Sequence, residues 1–563
     1  MTTFERPTTA TTIWKIGALV ALAATAATTA TPANADTCSK LANTFHRPKT
    51  TITSAQTVAA GTFVTPTTPP TNLTELPQFC RVTGFTAPTN DSHIGFEFWI
   101  PETGWNLKYL QVGCGGFCGS ISYSSMAEPL RRGYAVAATD DGHQAIGTDA
   151  SWANGHPEKI VDFGYRALKE TTDVAKELIR DYQQRGVRRS YFFGCSDGGR
   201  EALMEAQRFP GDFDGIIAGS PANNFTHLLT GFVWNEQALS ATTTGDLSQT
   251  DLNVLSGAVL AHCAGRDGGL ATDQFLNNPP ACRFDPDRLL CNGKNAGACL
   301  SQDKVSALEK IFSGPSRVFP GYGPGGEANV FANWPAWITD TTNPAVSLQG
   351  LFGNSFFPNM VFPNTGWTPG TFSADNNAAQ ADARVGAILN SIDPNLSPFK
   401  SHGGKLIQYA GWSDSAISPR SDIDYHKSVT RVMDGPQRTA EFYRLFMVPG
   451  MAHCAGGPGA NAFGQGINGP SPSDPADDVL SALDHWVEFG VAPETIIATK
   501  YVNDDPAQGV AFQRPLCPYP KFASNKGTGN GIDKGTDTSR FVCVRGSDDD
   551  DRDDNDREQR ANR

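Results

Sequence analysis

A serine inside Gly194-Cys195-Ser196-Asp197-Gly198 and a histidine inside Pro449-Gly450-Met451-Ala452-His453 are the residues of this chain best placed for chemistry. A serine hydroxyl is a poor nucleophile near neutral pH, so it needs a neighbouring base, and a histidine base needs an acid to orient its other ring nitrogen. The apolar run Tyr191-Phe192-Phe193 leads into Gly-x-Ser-x-Gly, and a helical stretch follows. That is the nucleophile elbow of an α/β-hydrolase, in which the glycines permit the sharp turn that lifts the serine clear of a sheet. By itself the pattern is weak in a chain with 57 glycines. Context strengthens it: Asp414, in Gly411-Trp412-Ser413-Asp414, and His453 each follow a later strand-like run, giving the order Ser, Asp, His that this fold uses. Ser196 is the expected nucleophile, Asp414 the acid and His453 the base.

Rivals are weaker. Of the ten histidines, His143 follows Asp140-Asp141-Gly142 but precedes Ser196 and would break the order. Asp422 and Asp424 fall in the next helical stretch, where a solvated face is expected. The oxyanion needs two backbone N–H donors. One is that of Asp197, and the other belongs to Gly115 or Gly116 in Gly113-Cys114-Gly115-Gly116-Phe117-Cys118-Gly119. A plain tight turn is the alternative for that loop; the Gly-x-Gly-x-x-Gly spacing of a dinucleotide site is absent from it.

The elements that must hold these residues read as an α/β alternation from about 92 to 222. Strands are expected at 94–100, 107–112, 134–138 and 214–218, with a long amphipathic helix over 158–184 whose stripe is core. Regularity stops near Ser220. Residues 223–400, rich in Asn, Pro, Gly, Thr and aromatics, read as an inserted lid domain. The sheet resumes at 405–409, followed by a helix at 418–433, a strand at 442–448 and a helix at 474–489. The fold class is therefore α/β, with a catalytic domain from 36–222 and 401–545.

A net charge of −13 and no stripe of Lys and Arg argue against nucleic acid as a partner. Lys15, an apolar stretch and Ala33-Asn34-Ala35 read as a signal peptide over 1–35, removed before Asp36. The apolar core is short of a membrane span, so the expected location is secreted or periplasmic. Residues 546–563 form an acidic tail expected to be disordered. All twelve cysteines lie beyond the cleavage site, which suits an oxidising compartment. Near neighbours give the default pairs Cys263 with Cys282, Cys291 with Cys299, and Cys517 with Cys543. Cys195 and Cys454 adjoin the nucleophile and the base, and a bond between them would fix the separation of the two loops.

The set Phe79-Cys80-Arg81-Val82, the glycine-rich loop, Thr139-Asp140-Asp141-Gly142-His143, Gly194-Cys195-Ser196-Asp197-Gly198-Gly199-Arg200, Gly411-Trp412-Ser413-Asp414 and Met451-Ala452-His453-Cys454 resembles the tannase and fungal-type feruloyl esterase family, which includes the hydrolase of mono(hydroxyethyl) terephthalate. The resemblance implies Ser196, Asp414 and His453 as the triad, a Cys195–Cys454 disulfide beside it and a Cys38–Cys80 bond. It also implies a small-molecule aromatic ester as substrate, cleaved through an acyl-enzyme without a catalytic cofactor, under aromatic residues of the lid. Plant phenolic esters are favoured over terephthalate monoesters, with polar lid residues expected to partner the ring hydroxyls. A serine peptidase is the runner-up, and a non-catalytic binder the reading from another class.

This chain departs from the family in two places. The lid calcium loop of the family is only partly kept in Cys263-Ala264-Gly265-Arg266-Asp267-Gly268-Gly269-Leu270-Ala271-Thr272-Asp273, where Ala264 replaces a carboxylate. Asp267 and Asp273 remain as ligands for a structural calcium, against a loop held by the Cys263–Cys282 bond alone. Cys114 and Cys118, inside the oxyanion loop, are either bonded to each other or free thiols.

Overall fold

The computed structural model describes residues 35–292, 298–315, 317–328, 333–340, 343–465, 473–527 and 538–546. The expected signal segment, up to residue 34, and the acidic tail beyond residue 546 lie outside them. A nine-stranded sheet organises the chain. In chain order its strands are β1 (Thr50–Val58), β2 (Phe79–Thr86), β3 (Ile94–Pro101), β4 (Lys108–Val112), β5 (Ala135–Thr139), β6 (Arg189–Cys195), β7 (Gly215–Gly219), β8 (Lys405–Gly411) and β9 (Tyr443–Val448). Their spatial order is β1-β2-β3-β5-β4-β6-β7-β8-β9. The β1–β2, β2–β3 and β3–β5 pairs are antiparallel, and every pair from β5–β4 onward is parallel.

The central strands are buried on both faces, so they read as unbroken apolar runs such as Ala135-Val136-Ala137-Ala138. Alternate residues feed two cores. Phe192, Ile216 and Leu406 point to one, and Tyr191, Ile217 and Ile407 to the other. Helix α1 (Ala167–Gln183) covers the first face through Val174 and Leu178. A late helix, Val479–Phe489, covers the second through Leu483 and Trp486. The expected helix over 158–184 is present but passes through a π-turn at Asp162–Arg166. The helix expected from 474 starts at Val479, where the Asp478 carboxylate accepts the Ser481 amide at 2.7 Å and caps it.

Among the described residues, no strand of the sheet falls between Gly219 and Lys405. The intervening segment is helical rather than irregular. Its first helix, Phe225–Ser240, is buried on nearly every side, which erases the amphipathic period that would have announced it. Its aromatics share a core with Phe117 and Phe163 of the catalytic part, and a second core lies within the insert around Leu255, Leu308 and Trp334. The architecture is an α/β-hydrolase fold.

Candidate active site

Parallel strands present their C-terminal ends on one edge, and three of those ends carry the expected triad. Cys195 of β6 lies opposite Gly219 of β7, and Gly411 of β8 lies opposite Val448 of β9. Ser196 follows β6 with φ +66° and ψ −121° and leads directly into helix Asp197–Arg208. The turn is tight enough that a Cβ on Gly194 would lie 2.3 Å from the Gly198 carbonyl oxygen. Glycine before the serine is a steric requirement.

His453 joins the other two residues. Its Nε2 lies 2.8 Å from Ser196 Oγ and its Nδ1 lies 2.8 Å from Asp414 Oδ2. The second oxygen of Asp414 accepts the amides of Ala416 and Ile417, each at 2.8 Å. Those bonds fix the carboxylate, so Nδ1–H donates to Asp414 and Nε2 is left as acceptor for the serine proton. Cys195 and Cys454 form a disulfide with Cα atoms 6.0 Å apart. The ring of Trp337 meets the imidazole edge to face, centroids 5.1 Å apart, and covers it from the insert.

The rivals are placed elsewhere. His143 stacks on Trp152 at 3.7 Å, and its Nε2 lies 2.8 Å from the Phe117 carbonyl. Burial lowers its pKa to about 4, so it is a neutral strut of the oxyanion loop. Asp424 is exposed, as expected. Asp422 is fully buried, contrary to expectation. Its carboxyl accepts Gln408 Nε2 at 2.7 Å, and burial holds its pKa well above the usual carboxylate range.

In the oxyanion loop, most amides are already used. Gly113 donates to Phe193, Phe117 to Gly147, Cys118 to Gly115, and Cys114 to the Glu201 carboxylate. Among the described residues no acceptor meets the amides of Gly116 or Asp197. Both residues line one cavity with Ser196. Gly115 is exposed and outside that lining, so of the two candidate glycines Gly116 is the one placed to donate. Its φ is +64°, and a Cβ there would lie 2.5 Å from the Gly147 oxygen.

A buried polar plate supports this loop, and no spacing along the chain announces it. Arg200 donates to both oxygens of Asp197 at 2.6 and 2.9 Å and to the carbonyls of Phe163 and Gly164. Asp141 and Glu201 are hydrogen-bonded to each other, and burial pushes both carboxyls upward. Cys114 and Cys118, left open by the sequence, are bonded to each other. Together with Asp141, Asp197 and Glu201 their ligand atoms converge within 4.8 Å. The sulfurs are spent on each other and Asp197 on Arg200, so this donor set is structural.

All the disulfides expected from the sequence are present: Cys38–Cys80, Cys195–Cys454, Cys263–Cys282, Cys291–Cys299 and Cys517–Cys543. The residues expected to hold calcium do not fit that ion. Asp267 spends its oxygens on the amides of Gly269 and Asn277. Asp273 accepts the Leu270 amide at 2.9 Å and the Arg514 guanidinium at 3.0 Å. A cation is already paired with the carboxylate, and the lone pairs a metal needs face N–H groups.

The family model described as tannase and feruloyl esterase matches residues 80–544. The chain belongs to the tannase and feruloyl esterase family. It is 42% identical over 523 residues to an uncharacterized esterase of Xanthomonas campestris pv. campestris, covering 88% of this chain and 89% of that one. It is 31% identical to a probable feruloyl esterase B-2 of Aspergillus terreus, covering 90% and 95% respectively. The crystal structure of feruloyl esterase B from Aspergillus oryzae superposes with a TM-score of 0.81 at 30% identity, over 91% of this chain and all of that chain. This member of the tannase and feruloyl esterase family is accordingly a carboxylic ester hydrolase.

Proposed function

We propose that the protein is an exported serine esterase that cleaves esters of aromatic carboxylic acids through an acyl-enzyme. The observation that carries this reading is the continuous chain Ser196 Oγ, His453 Nε2, His453 Nδ1, Asp414 Oδ2, with both links at 2.8 Å. Ser196 attacks the ester carbonyl as His453 takes its proton. The tetrahedral oxyanion is received by the amides of Gly116 and Asp197, which cost no rearrangement because they are already held. Collapse expels the alcohol, protonated by His453. Water then attacks the acyl-enzyme by the same route, releasing the acid and restoring Ser196.

Aromatic acyl groups are supported by what surrounds the serine: Trp337, Phe352, Phe225 and Phe232 line the same cavity, and rings stacked or met edge-on contribute beyond their buried area. Export is supported by six disulfides among the described residues and by the signal pattern in the sequence. No helix among the described residues is long and apolar enough to cross a membrane.

The test is product analysis over matched substrates: methyl cinnamate, methyl benzoate, their amides, and methyl butyrate. Cleavage of the aromatic esters with at least tenfold higher kcat/KM than the butyrate supports the proposal. Faster cleavage of the amides would mean a peptidase, and a preference for butyrate would remove the aromatic acyl group.

A further inference from the structure

Resting on the serine-esterase reading above, we infer that the Cys114–Cys118 disulfide is a positioning clamp of the oxyanion loop, which registers the Gly116 amide against that of Asp197, and that reducing it slows turnover. The two donors come from different parts of the fold. Asp197 opens the helix Asp197–Arg208, whereas Gly116 belongs to the loop after β4. An oxyanion is fully stabilised only if both amides reach it at once, so their relative placement sets the rate.

The two ends of the loop are anchored to different elements. At one end the Cys114 amide donates to Glu201 Oε2 at 3.0 Å and the Cys114 carbonyl accepts the Gly198 amide at 2.9 Å, so Cys114 is held to the helix that follows the serine. At the other end the Phe117 amide donates to the Gly147 carbonyl at 2.7 Å, and His143 Nε2 lies 2.8 Å from the Phe117 oxygen, so Phe117 follows segment 143–147. Cys118 has φ +59°, a conformation that a non-glycine residue keeps only where its surroundings over-determine it. Its amide donates to the Gly115 carbonyl at 3.0 Å, and the disulfide adds a covalent tie with the Cα atoms 5.4 Å apart. That tie joins the end that follows segment 143–147 to the end that follows the helix, with Gly115 and Gly116 between them.

The reduced loop has partners of its own. The Cys114 sulfur lies 3.1 Å from Glu201 Oε1 and the Cys118 sulfur 3.4 Å from Asp197 Oδ2. A disulfide sulfur has no proton to donate and a thiol has one, so each cysteine meets a carboxyl acceptor once the bond is open. A dithiol opens it by exchange: the Cys114–Cys118 bond breaks, a bond forms between the two sulfurs of the reductant, and two electrons and two protons pass to the cysteines. The cysteine sulfurs then part to van der Waals distance, and the Gly116 amide loses its register with Asp197. The bond spans 4 positions, against 259 for Cys195–Cys454, so its loss costs little stability.

The experiment uses the full chain and whichever methyl ester above it cuts fastest, with Cys114 and Cys118 replaced together by alanine or by serine. Both variants should lose about tenfold or more in kcat, short of the roughly 10²–10³ that loss of a whole donor costs, with KM and melting temperature little changed. Serine keeps a donor for Glu201 and Asp197, so wild-type kcat in the serine pair would assign the effect to those contacts and overturn the clamp. In a Gly116→Ala background either pair should cost little more, because the amide that the bond positions is already displaced; additive losses overturn the inference. Dithiothreitol, followed by alkylation and peptide mapping, should slow the wild type in step with modification of Cys114 and Cys118, and reoxidation should restore it. Slowing that tracks Cys195 and Cys454 instead, or free thiols at 114 and 118 in the untreated active enzyme, overturns the inference. Replacing Cys291 and Cys299, whose bond spans 8 positions in the insert, should leave kcat unchanged, and an equal loss there would overturn a role specific to the oxyanion loop. Where the alanine pair does not fold, the serine pair and the reduction decide. A wild type that cuts none of the esters removes the esterase reading and this inference with it.

Discussion

Cys195 and Cys454, separated by 259 positions in sequence, are joined by a disulfide, and each is the chain neighbour of a residue in the Ser196–His453 hydrogen bond. Ser196 and Cys454 both adopt positive φ, +66° and +62°. Residues held in sparsely populated backbone regions persist only where surrounding structure over-determines them. The disulfide is one such constraint, and it acts at the two ends of the bond along which the proton moves.

Replacing both Cys195 and Cys454 with alanine should therefore cost more in turnover than in stability. Disulfides closing long loops are worth about 2–4 kcal/mol, which would lower the melting temperature by several degrees. At a temperature where the variant is fully folded, kcat should still fall by about tenfold or more, because small misplacement of reacting groups is penalised steeply. Unchanged kcat in folded protein would reduce the bond to a staple.

Ser196→Ala should lower kcat by several orders of magnitude while leaving the stability within about 1 kcal/mol of wild type, since the side chain sits at the surface of a cavity. An organophosphonate should label Ser196, located by peptide mass. Label on another serine, or a fully active alanine variant, would sink the assignment.

The two loop glycines separate in a way that checks the oxyanion geometry. A Cβ on Gly115 meets nothing within 4 Å, whereas one on Gly116 runs into the Gly147 backbone at positive φ. Gly115→Ala should keep near-wild-type kcat. Gly116→Ala should lose about 10²–10³ in kcat, the cost of one oxyanion donor, with KM for a short ester much less affected. Similar kinetics for the two variants would refute the placement.

Much of this site was legible because its order is a property of the chain. Strand, serine and helix, then Asp414 and His453 after the last two sheet strands, follow from short-range patterns. What could not be read depends on distant packing. Asp422 lies in a helix whose buried face includes Ser421, Ile423 and Tyr425, and only the tertiary fold turns it toward Gln408. The pairing of Asp273 with Arg514 spans 241 positions, and no local signal announces it. The helices of the insert were hidden for a further reason: Phe225–Ser240 is buried on nearly every side, so its sequence carries no amphipathic period to mark it.

His143 gives a pH prediction. Burial lowers its pKa from 6.5 to about 4, so the native state holds the ring neutral. Above pH 6.5 both folded and unfolded chains carry the neutral ring and the contribution to stability does not change. As pH falls from 6.5 towards 4 the unfolded chain takes up a proton that the native state refuses, so stability declines across that window, by up to about 3 kcal/mol at the lower end. The ring's contact with the Phe117 carbonyl places this loss under the oxyanion loop. His426, lowered to about 4, adds to this loss, whereas the buried carboxyls of Asp140 and Glu201, raised to about 6 and about 7, oppose it, so the measure is the difference in slope between wild type and His143→Gln in urea titrations between pH 7 and pH 4, with the variant losing less stability as pH falls. An unchanged slope in the variant would move the effect to another group.

Arg514 supplies the last prediction. Its guanidinium and the Asp273 carboxylate are both nearly buried, with side-chain exposures of 4% and 8%, and the cation also lies over the rings of Phe512 and Phe541 at 4.8 and 4.6 Å. In this loop the positive charge comes from a side chain, where relatives of the fold were expected to use calcium. Removing one partner of a buried pair leaves the other uncompensated, at a cost of about 3–5 kcal/mol. Arg514→Met should lower the melting temperature markedly, and Asp273→Asn with Arg514→Met together should recover part of the loss, since neither charge is then stranded. Neither EDTA nor millimolar calcium should move the melting temperature of the wild-type protein, because a ligand stabilises only by binding the native state. A rise of several degrees with calcium, reversed by EDTA, would show that the loop takes the metal despite Arg514.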